Sequence, residues 1–296
     1  MSDNNGLLPH RILDLGVDET SPIVLKETVE GEREQYACLS HSWGGHQPLQ
    51  TTTATLEERK KGIQWKDLPR TFQDAVSFTR RLNLRYIWID SLCIIQDDGD
   101  DWAAESALMA DIYRNATITV SAAASKGPHD GLFVSTQPQH QGTKLTPVFV
   151  EPPNPLPSFY THRGWVLQER LLSPRVIHFG TYELVWECMQ ASNCECDRNF
   201  HPAALSNLPL PFTANAWRKV VQDFCGLTLT YAKDAFPAVS GSAKIVKQSL
   251  EERGVEAKYI AGMWDCWFVE DCLWSVTAPA VRPDEWRAPT FSWASV

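Results

Sequence analysis

The chain has 296 residues, with 27 lysines and arginines against 36 aspartates and glutamates, for a formal net charge of −9. Its 43% hydrophobic and 21% charged residues exclude a disordered chain and allow a substantial core. The acidic balance argues against nucleic acid or an anionic membrane as partner, since both call for a surplus of Lys and Arg.

Met1 to Gly6 is polar and lacks a charged-then-apolar signal pattern. The most apolar stretch, Tyr259 to Val276, is broken by Asp265, Glu270 and Asp271, so no run is long enough to span a bilayer. We therefore expect a soluble cytoplasmic protein. Its eight cysteines are then reduced, and the sequon at Asn115-Ala116-Thr117 is inert.

In chain order, Tyr36 to Ser40 is β-prone and precedes a turn at His41-Ser42-Trp43-Gly44-Gly45. Thr71 to Leu82 has helical spacing, with Phe72, Ala75, Val76 and Leu82 on one side. Tyr86-Ile87-Trp88-Ile89 is continuously apolar and stops at Asp90-Ser91, as a central strand of a parallel sheet would. Asp100 or Asp101 caps a helix to about Tyr113, and Thr117 to Ala122 is the next strand. This alternation predicts an α/β layered fold.

Residues 125 to 160 read as loop, and the prolines from Pro152 to Pro157 mark a boundary or long connection. Beyond it, Trp165 to Leu172 reads as a helix, and Val176 to Phe179 with Glu183 to Trp186 as a strand pair. The last third reads as mainly helical: Ala214 to Phe224, Ala232 to Arg253 with a break near Pro237, and Lys258 to Val276. Phe291 to Val296 reads as a strand, and its apolar, uncapped end suggests a chain cut from a longer protein.

Ligands of open parallel sheets bind outside the carboxyl ends of the strands. One such end carries Ser40, His41, Ser42 and Trp43; the other carries Asp90, Ser91 and Cys93, with Gln96 nearby. Each residue alone fits a turn or cap, and two equivalent clusters suggest a shared crevice. Glu105 lies three residues after Trp102 and four before Met109, on the apolar stripe of its helix. A carboxylate there must be paired, protonated or facing a cleft, unless it is simply a first-turn acid or capping partner. A third cluster is Arg163-Gly164-Trp165 with Gln168-Glu169-Arg170, where Glu169 can pair with either arginine. The Asp97–Asp101 run fails the calcium-loop spacing, and Cys188, Cys194, Cys196 and His201 lack paired zinc spacing, so no metal is expected.

Five motifs in order carry a resemblance. Tyr36 to Gly44, Leu68-Pro69-Arg70-Thr71-Phe72-Gln73-Asp74-Ala75, and Tyr86 to Asp97 resemble the first blocks of the fungal heterokaryon incompatibility (HET) domain. Asp101-Trp102-Ala103-Ala104-Glu105, followed by Met109, Ile112-Tyr113 and Ala116, and then Arg163 to Arg170, are similar to its later ones. The resemblance implies a core over 36–170, an N-terminal extension over 1–35, and a mixed, mainly helical extension over 171–296 packed on the core. It also implies allorecognition and programmed cell death in filamentous fungi.

HET domains look like remote relatives of Toll/interleukin-1 receptor (TIR) domains. That likeness implies a TIR-like, flavodoxin-like, mostly parallel sheet flanked by helices, with added strands. It further implies self-association into oligomers, an NLR-type or other incompatibility receptor as partner, and NAD as substrate with no cofactor. Trp102-x-x-Glu105 has the TIR catalytic arrangement, so the resemblance gives Glu105 the catalytic role. Trp43 or Trp102 would stack on a ring. Ser40, His41, Asp90, Ser91, Cys93, Arg163, Gln168 and Glu169 would line the substrate pocket. The competing expectation is a non-enzymatic module that assembles and signals through protein contacts, with Glu105 a structural acid.

Overall fold

The computed structural model describes residues 5–44, 49–133, 163–195, 213–229, 231–276, 282–283 and 286–296. Its first strands are β1 (Gly6–Leu7), β2 (Arg11–Asp14), β3 (Val24–Glu27), β4 (Arg33–Glu34) and β5 (Tyr36–Ser40). Helices α1 (Leu56–Lys61) and α2 (Arg70–Arg81) lead to β6 (Tyr86–Trp88); α3 (Asp90–Cys93) and α4 (Gly99–Asn115) lead to β7 (Ile118–Ser121). Then come α5 (Gly164–Leu172), β8 (Arg175–Phe179), β9 (Leu184–Cys188) and β10 (Ser192–Cys194). The C-terminal part has α6 (Ala214–Cys225), α7 (Pro237–Glu252), a small hairpin β11 (Tyr259–Ile260) and β12 (Met263–Trp264), and α8 (Phe268–Asp271).

Eight strands form one sheet in the order β10-β9-β8-β7-β5-β6-β2-β3. The central four, β8, β7, β5 and β6, are parallel, and antiparallel strands extend the sheet on both sides. Every residue of β5, β6 and β7 is buried, which is why these runs are apolar without alternation. The chain leaves β5 toward β6 on one side and returns past it to β7 on the other. β5 therefore stands where the strand order reverses, the place at which α/β sheets build sites.

The fold is thus α/β, with a mixed, mostly parallel central sheet flanked by helices. Its main core packs Tyr36, Trp88, Phe72, Ile12 and Leu13. A second core gathers Trp217, Trp264, Phe224 and Val246. Helices α4, α5 and α7 pack on one another and join the two, with Trp165 of α5 touching both.

Several expectations change. The segment read as an extension supplies β2 and β3 of the main sheet. Residues 258–276 are no single helix: Ala261 and Gly262, with φ of 47° and 92°, turn the chain into the β11–β12 hairpin. The final segment ends in a 3-10 turn over Trp293–Ser295, capped by the Ser292 hydroxyl, not in a strand. Asp98, rather than Asp100 or Asp101, caps α4 by accepting from the N–H groups of both. Cys194 is disulfide-bonded, against the expected reduced state, while Cys38, Cys93, Cys188, Cys225, Cys266 and Cys272 are free. The proline-rich stretch 152–157, with Cys196 and His201, lies outside the described residues. Among the described residues no cluster of metal ligands occurs, and no helix is long and apolar enough to cross a membrane.

Candidate functional site at the carboxyl ends of the parallel strands

Ser40 closes β5, Asp90 follows β6 and opens α3, and α5 lays Glu169 beside them. These three elements bring together Ser40, His41, Trp43, Asp90, Arg163 and Glu169. The Arg163 Nη1 donates to the His41 carbonyl at 2.6 Å, tying the start of α5 to the end of β5. The Trp43 indole donates to Asp90 Oδ2 at 3.1 Å, and the Ser91 N–H donates to Asp90 Oδ1 at 2.7 Å. His41 Nδ1 stands 3.7 Å from Asp90 Oδ1, too far for a hydrogen bond, and the ring packs edge-on against Phe72 of α2.

Burial dominates the acid–base character of this cluster. It pushes His41 down to about 4, with Asp90 pulling the other way, so the imidazole is neutral at pH 7. It pushes Glu169 up to about 7, against Arg163 and hydrogen bonds from Ser40 and Tyr113. Glu169 is 5% exposed, and its Oε2 has no hydrogen-bond partner among the described residues.

Glu105 forms a second cluster on the same edge of the sheet. β2 runs antiparallel to β6, so its first residue, Arg11, lies near the carboxyl end of β6. Glu105 is 1% exposed. Its Oε1 is 2.9 Å from His10 Nδ1 and 3.5 Å from Arg11 Nη2, and its Oε2 has no partner among the described residues. Arg11 also donates to both oxygens of Asp101 at 2.6 Å and, through Nε, to the Cys93 carbonyl at 2.7 Å. Cys93 therefore stands between the clusters. Burial, with Glu105 and Asp90 nearby, pushes its thiol up to about 12, far from a reactive thiolate.

Two of the expected lining residues turn elsewhere. Gln168 Oε1 accepts from the Gly241 N–H of α7 at 3.0 Å, so its role is to seat one helix on another. Trp102 is half-buried with Lys233 5.9 Å from its ring centre, on the side of the C-terminal part. Arg170, one of the two partners expected for Glu169, instead forks onto Glu187, donating from Nε at 2.6 Å.

Sequence reasoning missed the residues that continue this edge. The register places Ser40, Ser121 and His178 side by side on β5, β7 and β8. His178 Nδ1 is 3.1 Å from Ser121 Oγ, and its Nε2 is 2.9 Å from Glu187 Oε2. Burial lowers the pKa of His178 despite Glu187, while His178 and Arg170 hold Glu187 down to about 2 against its own burial. The available signal was a histidine inside one expected strand and a glutamate one residue past the end of the strand expected to pair with it.

The fold and this edge define an α/β protein with buried carboxylates and neutral imidazoles at the carboxyl ends of its parallel strands. Residues 36–169 match the model of the family described as Heterokaryon incompatibility protein (HET), so this segment of the chain carries a HET domain. A HET domain implies a role in heterokaryon incompatibility and cell death. Neither the curated proteins nor the solved structures give a match.

Proposed function

We propose that this HET domain, as a TIR-like cell-death effector, hydrolyses NAD at the nicotinamide–ribosyl bond in an assembled state, with Glu105 as the carboxylate at the reacting centre. One observation carries the reading: Glu105 is held at the carboxyl edge by His10 and Arg11, with its Oε2 left without a partner among the described residues. Nicotinamide leaves a cationic ring as a neutral molecule, so its departure needs no general acid. A fixed carboxylate can accept from a ribose hydroxyl and stabilise the oxocarbenium-like transition state. Trp43, at the solvent side with half-buried Asp90, offers a ring to stack on. Arg163, bonded to the His41 carbonyl, is a cation that can meet a phosphate there.

The side chain of Glu105 is 2% exposed, whereas that of His10 above it is 67% exposed. A closed resting site suits an effector that acts only when copies of the chain, gathered by an incompatibility receptor of the NLR or another type, rearrange this edge. The same pairing with Arg11 and His10 also suits a structural acid, in which case the domain is a non-enzymatic oligomerising module.

The test is nicotinamide release from NAD by purified protein at high concentration, with and without a crowding agent. Glu105→Gln keeps the volume and the contact to His10. We expect release by wild type and a loss of about 100-fold or more in the variant, without a matching fall in Tm. Absence of release in assembled samples, or undiminished cell killing by Glu105→Gln, would favour the module.

A further inference from the structure

A cavity of about 430 Å³ opens at the opposite pole of the sheet, where all four parallel strands begin. Leu84 lies just before β6, Gln35 before β5 and Thr117 before β7, and Arg175 is the first residue of β8. The volume is that of an ordinary small-molecule pocket.

Its charge runs against the rest of the chain. Arg33, Arg114 and Arg175 all line it, and no aspartate or glutamate does, in a chain of net charge −9. Their hydrogen bonds go to neutral oxygens and are long: Arg33 to the Asn5 carbonyl at 3.4 Å, Arg114 to Gln248 Oε1 at 3.2 Å, and Arg175 to the Thr117 carbonyl at 3.3 Å. Among the described residues none of the three has an ion-pair partner. A second observation is independent of charge. The Thr117 hydroxyl, in the same wall, is buried and has no hydrogen-bond partner among the described residues. Orphan hydroxyls are rare in folded proteins. The rest of the wall is mixed: Asn5, Gln35 and Asn115 add amide groups, and Leu82, 40% exposed, forms an apolar side with Pro174 and Ile118.

We propose that this cavity binds a phosphate-bearing small molecule of about nucleoside diphosphate size. The guanidinium forks take the phosphate oxygens, since Arg matches phosphate in a planar, two-pronged way. The Leu82 side of the wall takes the apolar or planar remainder. Helix α4 runs from Glu105 near one pole to Arg114 at the other, so a ligand here touches the helix that carries the buried glutamate.

The experiment is calorimetric titration of the whole chain with ADP, pyrophosphate and adenosine. ADP binds, adenosine does not, and pyrophosphate binds more weakly because it lacks the apolar part. Arg114→Gln and Arg175→Gln each weaken ADP by about tenfold or more, with the ligand-free Tm nearly unchanged because both residues are exposed. Glu105→Gln leaves the ADP affinity as it was. Three results overturn the proposal: no heat with ADP at millimolar concentration, equal binding by the Arg114→Gln/Arg175→Gln double variant, or loss of ADP binding in Glu105→Gln.

Discussion

Two buried groups at the carboxyl edge carry opposite pH dependences. Folded Glu169 keeps its proton up to about 7, whereas the unfolded chain releases it near the ordinary 4.5. The folded state binds more protons in that window, so this term loses stability as pH rises through it. Folded His41 stays neutral down to about 4, whereas the unfolded chain takes up a proton near 6.5. This term loses stability as pH falls from 6.5 to 4. Each is worth about 3 kcal/mol, so the two nearly offset in wild type. Glu169→Gln removes the first: relative to wild type, the variant gains stability as pH rises from 4.5 to 6.5. His41→Gln removes the second and gives a relative fall over the same range. Urea midpoints at three pH values check this, and parallel profiles for all three proteins would sink it. At this scale the sequence told of burial but not of partners. The apolar stripe of α4 marked Glu105 as an interior acid. Its ligands His10 and Arg11 lie 95 and 94 positions away, and only the antiparallel return of β2 brings them there.

Helix packing depends on one missing side chain. Gly241 sits inside α7, where alanine would be better by about 1 kcal/mol on propensity alone. A Cβ there would stand 2.2 Å from the Cβ of Ala110 on α4 and 2.8 Å from Gln168 Oε1 on α5. Gly241→Ala should therefore destabilise by roughly 2 kcal/mol, read as a lower urea midpoint. Adding Ala110→Gly should return part of the loss, because the two sites share one contact. An unchanged midpoint for the single variant would show that the three helices part freely at this crossing. Elements with clean periodicity were legible: Arg70–Arg81 buries one side, as the spacing of Phe72, Ala75 and Val76 requires, although Leu82, expected on the same side, follows the helix end and is 40% exposed. The stretch 258–276 was not, because its aromatics fit a helix and a hairpin equally well. The decision rests on Gly262, whose missing Cβ lets Trp293 approach to within 2.5 Å of where it would lie. That contact spans 31 positions and has no local signature.

The sheet is larger than the segment the family model covers. Residues 36–169 contain β5, β6 and β7, but β2 and β3 come from before them and β8, β9 and β10 from after. The split between core and extension was illegible in the sequence for this reason: strands on both sides of the matched segment return to one sheet, and pairing across such distances leaves no pattern in either strand. Cut out alone, 36–169 would leave β6 without β2 and β7 without β8, two bare edges beside strands whose residues are all buried. Such edges invite aggregation. The fragment would also expose the side of α5 that carries Leu167 and Gln168, covered in the whole chain by the second core and α7. We therefore expect 36–169 to be insoluble, or soluble without a cooperative urea transition and with strong dye binding, while 1–296 unfolds in one sharp step. A fragment that unfolds as sharply as the whole chain would mean that three strands suffice. The buried Ser121–His178–Glu187 chain would then be dispensable to the edge that holds Ser40 and Glu169.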